Sequence, residues 1–268
     1  MRRLVIRPGA IGDFIVSLPA LECLKTDYLE VWTVRRTVPL VRFADRVRAI
    51  GDTGLDLVGV TEPAPAALRH FDQIVSWYGS NRAEFREAVR GLPFQFFPAL
   101  PLWECTGGAG DSPAGNGKPE SPLHVTEFYL RQVRTLVDCA SDGVPRLICD
   151  APRENFAVIH PFSGSARKNW PLEKFRAVAA ALERTMPVRW CAGADDPPLP
   201  HAVRIDDLYQ LACWLARARL YIGNDSGITH LAAAVGTPVL AIFGPTEPAV
   251  WAPRGANVRV VKVKTVKM

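Results

Sequence analysis

The chain has 268 residues and a formal net charge of +5, with 48% hydrophobic and 22% charged residues. This composition is that of an ordinary globular protein, and the length allows one large α/β unit or two domains. No apolar run reaches the roughly 18 residues of a membrane span, so we expect no transmembrane segment. The positive charge suits an anionic substrate or an anionic membrane surface, and no dense run of Lys and Arg indicates nucleic acid.

The cysteines and histidines give no sign of a metal site. The six cysteines are scattered without a Cys-x-x-Cys pair, and the five histidines are equally dispersed. We therefore predict reduced, mostly buried thiols in a cytosolic protein, and no zinc site built by the protein.

Apolar runs and polar turns alternate along the first half. A buried strand at residues 3–7 leads through the turn Pro8-Gly-Ala-Ile-Gly-Asp13 into an apolar helix, in which Pro19 predicts a kink or restart. Two further strands and two helices are predicted at residues 30–34, 72–77, 82–90 and 125–139. Residues 105–122 are rich in Gly, Pro and Ser, which predicts a mobile surface loop.

The second half is more regular. Strands are predicted at residues 156–160, 188–191, 219–223 and 239–243, with helices at 171–184, 206–218 and 226–235. This alternation indicates an α/β fold, in which two Rossmann-like domains with parallel sheets, residues 1–150 and 151–268, face a central cleft. The tail 257–268 alternates Val with Arg and Lys, which predicts an edge strand protected by lysines or an electrostatic contact with acidic lipid.

Asp13 closes a glycine-containing turn directly after the first strand. Open α/β sheets bind ligands at this carboxyl edge, although a helix N-cap would place an aspartate there equally well. The turn is neither Gly-x-Gly-x-x-Gly nor a Walker loop, which argues against the usual modes of NAD or ATP binding here.

A second polar loop follows the strand at residues 156–160. In it Ser163, Gly164 and Ser165 offer hydroxyl and backbone donors, and Lys168 or Arg167 offers a cation for a diphosphate. The alternative interpretation is a solvated loop without a ligand, because such a loop between a strand and a helix has much the same composition.

A third segment, residues 221–246, is a strand, an Asp-Ser-Gly turn, an Ala-rich helix and another strand. We predict Asp225 as the helix N-cap, and a phosphate seat at the helix N-terminus, where Gly227 allows close approach to the backbone. Ser226 and His230 share one short helix without a Gly-x-Ser-x-Gly elbow, so we reject a hydrolase and expect His230 to be packed or to face a ligand.

Asp195 and Asp196 follow the strand that ends at Cys191. An acidic residue at this position can hold ribose hydroxyls, as acidic residues do in other α/β nucleotide sites. Turn chemistry explains the Asp-Asp-Pro sequence about equally well.

Three of these segments form a set. They are Arg3-Leu-Val-Ile-Arg-Pro-Gly-Ala-Ile-Gly-Asp, His160-Pro-Phe-Ser-Gly-Ser-Ala-Arg-Lys-Asn-Trp-Pro, and Asn224-Asp-Ser-Gly-Ile-Thr-His together with Phe243-Gly-Pro-Thr. In this order they resemble the opening strand and turn, the donor-phosphate loop and the donor signature of glycosyltransferase family 9, the heptosyltransferases of lipopolysaccharide assembly. The set covers most of the chain, which makes the resemblance specific.

The resemblance implies a GT-B fold, with an N-terminal acceptor domain and a C-terminal nucleotide-sugar domain. It implies an inverting, metal-independent transfer in which Asp13 is the general base. The donor phosphates would be bound by Ser163, Gly164, Ser165, Lys168, Ser226 and Gly227. The donor sugar and nucleoside would be bound by Asp225, Asp195, Asp196 and His230.

The implied reaction moves a heptose or related sugar from an ADP-sugar, with no other cofactor, to a membrane-bound, lipopolysaccharide-type glycolipid. We accordingly expect a cytoplasmic protein, peripheral at the inner face of the inner membrane of a Gram-negative-type bacterium through its basic surface, with no nucleic-acid partner. Against the family pattern, the sequence ends soon after Trp251-Ala-Pro-Arg-Gly, so we expect the C-terminal helices that cross back to the first domain to be missing.

Two alternatives remain at this point. One is a catalytically silent GT-B module that binds a nucleotide sugar, against which the presence of both Asp13 and Lys168 argues. The other is a different nucleotide-dependent α/β enzyme such as a dehydrogenase, against which the missing Gly-x-Gly-x-x-Gly argues.

Overall fold

The computed structural model describes residues 1–101 and 122–263, and the chain divides into two compact units. Unit 1 comprises Met1–Gly9 and Ala20–Ser141, and unit 2 comprises Ala10–Pro19 and Asp142–Met268. The division thus falls at Ser141, and the turn that carries Asp13 belongs to unit 2. The domain boundary expected between residues 150 and 151, with its acceptor and donor roles, stays a prediction.

Unit 1 is built on a five-stranded parallel sheet. Its strands are β1 (Arg2–Ile6), β2 (Tyr28–Thr33), β3 (Arg46–Ala49), β4 (Gln73–Ser76) and β5 (Phe94–Phe96). They lie in the order β3-β2-β1-β4-β5. Strand β1 and its two neighbours bury almost every side chain, as expected of a parallel sheet covered on both faces.

The helices in the described residues of the first half are α1 (Ile11–Cys23), α2 (Ala83–Ala88) and α3 (Val125–Val133). Helix α1 continues through Pro19 as a single element rather than restarting there. Phe85 of α2 is fully buried and meets Phe94 and Phe96 edge-on, with ring centroids 6.0 and 6.2 Å away. These aromatic contacts anchor the short helix to β5 and to the apolar core of unit 1.

The prediction of reduced thiols is wrong for one pair of cysteines. Cys23 at the end of α1 and Cys139 after α3 form a disulfide across 116 residues of chain, with their Cα atoms 5.6 Å apart. The fold brings the two Cα atoms within disulfide range, which scattered spacing along the sequence cannot show. Among the other described cysteines, Cys149, Cys191 and Cys213 are free thiols, and burial raises the pKa of Cys191 to about 12.

Unit 2 carries the second parallel sheet. Its strands are β6 (Ala157–His160), β7 (Val188–Trp190), β8 (Leu220–Asn224), β9 (Val239–Phe243) and β10 (Val258–Lys262). They lie in the order β10-β9-β8-β6-β7. From β6 the chain runs outward to β7 on one side, and from β8 it runs outward to β10 on the other. The strand order therefore reverses between β6 and β8, and such a switch point is where open α/β sheets bind ligands.

Between residues 142 and 263, each of the strands β6 to β9 is followed by a helix: α4 (Leu172–Leu182), α5 (Leu208–Ala216), α6 (Gly227–Ala234) and α7 (Pro248–Trp251). The predicted alternation of strands and helices is confirmed, and so is the α/β class with two parallel sheets. The tail forms the predicted edge strand, β10, whose Lys262 pairs with Glu247 at 2.6 Å.

Two further expectations concern loops and membranes. Nearly all of the Gly/Pro-rich segment 105–122 lies outside the described residues, as do Lys264 and Lys267 of the tail. Among the residues that are described, no helix is long and apolar enough to cross a membrane.

Candidate functional site

Two polar segments meet at the switch point of the second sheet. Strands β6 and β8 are direct neighbours, with His160 opposite Gly223 in the parallel register. Because both strands run the same way, the loop after β6 and the turn after β8 emerge at the same edge of the sheet. These are the segments for which the sequence predicts phosphate and donor binding.

An ion pair joins the two segments. Lys168, in a short 3-10 turn after β6, places its Nζ 2.7 Å from Oδ2 of Asp225, which follows β8. The Thr246 hydroxyl donates to the same oxygen at 2.6 Å. Asp225 is 6% exposed and Lys168 33% exposed. A buried carboxylate needs such partners, and the ammonium group retains two N–H donors that no described residue takes up.

The N-terminus of α6 adjoins this pair, but its cap differs from the prediction. Ser226, not Asp225, is the N-cap, because its extended backbone lets the hydroxyl oxygen accept from the Thr229 amide. The Asp225 carboxylate is instead engaged by Lys168 and Thr246. The amides at the start of α6, with the positive end of the helix dipole, remain a suitable seat for an anion.

Two glycines bring Asp13 next to this helix end. A Cβ placed on Gly227 would lie 2.7 Å from Ile11 Cβ and 2.9 Å from the Gly12 nitrogen. A Cβ on Gly12 would lie 3.5 Å from Gly227 Cα. The first turn of α1 therefore packs against the first turn of α6 with no room for a side chain at Gly227. Asp13, the next residue of α1, is held beside the donor signature within unit 2.

The loop after β6 is organised by internal hydrogen bonds. The Ser163 hydroxyl lies 2.8 Å from the Ser165 carbonyl oxygen and 2.7 Å from Oδ1 of Asn169, while Gly164 is exposed.

A buried asparagine fastens this loop to the neighbouring strand. Asn224, at the end of β8, accepts from the Trp170 amide at 2.9 Å and donates to the Pro161 carbonyl at 2.7 Å. Asn224 thus ties both ends of the loop to β8 and fixes the backbone from which Lys168 extends.

The candidate nucleoside residues separate in the structure. Asp196 contacts His160 at the end of β6, with Oδ2 3.1 Å from Nε2, and also accepts from the Gly193 amide at 2.6 Å. Burial acts to raise the pKa of Asp196, but these hydrogen bonds outweigh it and hold the pKa below its usual value. Asp195 is exposed beside it, and the buried His230 ring packs against the Gly12 position of α1.

The structure therefore gathers the predicted phosphate residues at one sheet edge and places Asp13 beside them, although their roles remain predictions. Sequence reasoning missed three polar residues of the same edge: Asn224, Thr246 and His160. All three lie inside the motifs that define the site. Position at or just after the end of a parallel strand is the signal that would have singled them out. Among the described residues, no three His, Cys, Asp or Glu side chains group as metal ligands.

Comparison with known proteins places these motifs in a family. The family model of "Glycosyltransferase family 9 (heptosyltransferase)" matches residues 120–268, more than half of the chain. The chain is also similar to lipopolysaccharide heptosyltransferase 3 of Escherichia coli, with 23% identity over 92% of this chain and 83% of the relative.

Two solved structures show the same fold. An ADP-heptose lipopolysaccharide heptosyltransferase II of E. coli superposes with a TM-score of 0.71 at 17% identity, over 97% of this chain and 90% of that one. An E. coli heptosyltransferase solved with ADP gives a TM-score of 0.67 at 18% identity, over 98% and 93%. The two parallel sheets thus have the GT-B arrangement of strands and helices.

Proposed function

The chain belongs to glycosyltransferase family 9, and we propose that it moves a heptose or closely related sugar from an ADP-sugar onto a lipopolysaccharide-type glycolipid. The ADP carried by the E. coli relative supports the choice of nucleotide. The name of the curated relative, a lipopolysaccharide heptosyltransferase, supports the choice of sugar and acceptor.

The proposed donor site uses the ion pair of Lys168 and Asp225 as its centre. The two N–H donors of Lys168 that no described residue takes up can hold the diphosphate together with the first amides of α6. As the bond between the sugar and ADP breaks, this positive charge stabilises the growing charge on the leaving diphosphate. We propose that the residues of the protein supply this charge without a metal ion.

Asp13 is the proposed general base. It removes the proton from the acceptor hydroxyl, whose oxygen forms the new bond to the anomeric carbon as ADP departs from the opposite face. A single base with no covalent intermediate inverts the anomeric configuration. The support is positional: the packing of Gly12 on Gly227 fixes the turn of Asp13 beside the donor signature.

We propose that unit 1 binds the acceptor and that the protein works peripherally at the cytoplasmic face of the membrane that carries this glycolipid. The support is the family membership and the formal net charge of +5, which favours phosphorylated, acidic glycolipids.

The observation that carries the proposal is the 2.7 Å contact between Lys168 and Asp225 at the switch point. Its test is calorimetric binding of ADP, UDP, GDP and NAD to the wild type and to Lys168→Ala. A lost charge-assisted contact should weaken ADP binding roughly 10–100-fold. Lys25→Ala, which removes an exposed lysine of unit 1, is the control and should leave binding unchanged.

Each outcome of this titration has a distinct meaning. Tight ADP binding that depends on Lys168 supports the proposal. A preference for UDP or GDP would keep a sugar transferase but change the donor. Equal ADP affinity in the wild type and Lys168→Ala would contradict the phosphate role, and strong NAD binding would contradict the transferase site altogether.

A further inference from the structure

We propose that His160 is a positioning residue that fixes Asp196 so that one carboxylate oxygen is presented to the ribose hydroxyls of the donor nucleotide. This inference rests on the proposed function and deepens it. It assigns a task to a buried histidine that the transfer mechanism leaves unused, and it chooses between the two neighbouring aspartates.

The first observation is that the two oxygens of the Asp196 carboxylate differ in their hydrogen bonds. Both of its hydrogen bonds go to Oδ2, from His160 Nε2 at 3.1 Å and from the Gly193 amide at 2.6 Å. Oδ1 has no hydrogen-bond partner among the residues that the structure describes. The side chain is 18% exposed, so a ligand can reach it. A carboxylate held by one oxygen and open at the other is a ready acceptor for a hydroxyl.

The second observation is the burial of His160. Its side chain is 3% exposed, and its Nδ1 lies buried without a hydrogen-bond partner in the described part of the chain. Buried polar atoms are seldom left unpaired, because they lose water without replacing it. The Phe162 ring stands edge-on to the imidazole with centroids 6.4 Å apart. An apolar side chain at this buried position would leave no polar atom unpaired. The hydrogen bond to Asp196 is therefore the feature that requires a histidine.

The third observation is the position of the pair. His160 is the last residue of β6, and Lys168 lies on the loop that follows. Asp196 lies after β7, which pairs directly with β6. His160 thus ends the strand whose following loop carries Lys168, and Asp196 follows the neighbouring strand at the same carboxyl edge. In α/β nucleotide sites an acidic residue near this edge takes the ribose hydroxyls.

The loop that carries Asp196 is also held independently of His160. The Arg204 guanidinium donates to the carbonyl oxygens of Gly193 and of Pro197, the latter at 3.2 Å. Replacing His160 should therefore leave the Asp196 carboxylate held by the Gly193 amide alone, so that it can rotate about this one bond while the backbone around it stays in place. Asp195 lies exposed on the same turn, so it supplies a neighbouring carboxylate against which the role of Asp196 can be compared.

The test compares three ligands, ADP, 2′,3′-dideoxy-ADP and pyrophosphate, by calorimetry. Wild type should bind ADP roughly 10–100-fold more tightly than the dideoxy analogue, the range for a hydrogen bond to a charged group. In His160→Leu and in Asp196→Asn the ratio of the affinity for ADP to that for 2′,3′-dideoxy-ADP should fall to about threefold or less, while the pyrophosphate affinity stays unchanged. His160→Gln can place an amide N–H near the position of Nε2 and should restore most of the ratio. Asp206→Asn, which alters an exposed aspartate of unit 2 outside the predicted site, is the control and should keep the ratio. Loss of the ratio in Asp195→Asn would overturn the choice of Asp196 over its neighbour.

The outcomes separate this inference from the proposed function. If ADP binding depends on Lys168 but the wild type binds ADP and 2′,3′-dideoxy-ADP equally tightly, the inference alone would be overturned. A stable Asp196→Asn protein that keeps the full ratio would overturn it too, as would a stable His160→Gln protein that loses the ratio entirely. Absence of ADP binding to the wild type would overturn the proposed function, and this inference with it.

Discussion

Asp225 and Asp196 illustrate how single side chains define this site. Asp225 accepts hydrogen bonds from Lys168 and Thr246 through its Oδ2, and Asp196 accepts one from His160 through its own Oδ2. These bonds anchor each carboxylate to the protein through one oxygen, and we propose that the other oxygen accepts from the donor. Pre-organised acceptors of this kind lose little freedom on binding.

The depressed pKa of Asp196 leads to a prediction on stability. The pKa of an aspartate in an unfolded chain is about 3.9. A carboxyl group whose pKa is lower than this in the folded chain stabilises the fold at every pH above the unfolded pKa. This stabilisation is lost as the pH falls through the folded pKa. We expect Asp196→Asn to be less stable than the wild type near neutral pH, and the difference to shrink below about pH 3. Urea unfolding at both pH values measures this. A difference that grows on acidification would contradict the assignment of the shift.

At the level of elements, the contact between α1 and α6 depends on glycine. Gly227 begins α6, and a Cβ added to it would meet Ile11 Cβ at 2.7 Å and the Gly12 nitrogen at 2.9 Å. The second of these atoms belongs to the backbone, so the clash cannot be relieved by a side-chain rotation. The two helix starts, and with them Asp13 and the donor signature, have to move apart if a methyl group is added.

We therefore predict that Gly227→Ala destabilises the protein by about 1–3 kcal/mol, as overpacking does, and lowers transfer. Helix propensity acts in the opposite direction by at most about 1 kcal/mol, so the sign of the measured change decides between the two effects. Gly51→Ala is the matched control, since a Cβ there meets nothing within 4 Å. A Gly227→Ala protein more stable than the wild type would show that helix propensity dominates and that the two helices do not pack as described.

The elements that the sequence predicts well are those with local signals. Strands β6 and β9 are short runs of buried apolar residues between polar turns, and both lie within a residue or two of their predicted bounds. The predicted N-cap of α6 is wrong by one position, because Asp225 and Ser226 are both good caps and tertiary contacts decide between them. The edge strand β10 follows from its alternating Val and basic residues.

At the scale of the whole molecule, contacts between distant segments are what the sequence could not provide. Lys168 and Asp225 are 57 residues apart, and Cys23 and Cys139 are 116 apart. Their proximity depends on the order of strands and on helix ends, which no local pattern encodes. Family resemblance predicts the GT-B fold and the roles of Asp13 and Lys168, whereas the bond from His160 to Asp196 is visible only in three dimensions.

The central claim for the molecule is that Asp13, held against the donor site, drives sugar transfer. The most direct test is the rate of transfer from ADP-heptose to a heptose-accepting lipopolysaccharide core, with EDTA present, by the wild type, Asp13→Asn and the exposed control Asp56→Asn. We predict that Asp13→Asn retains its fold and its ADP affinity but loses at least about a hundredfold in rate, the smallest usual contribution of a general base. Undiminished turnover in Asp13→Asn would contradict the account.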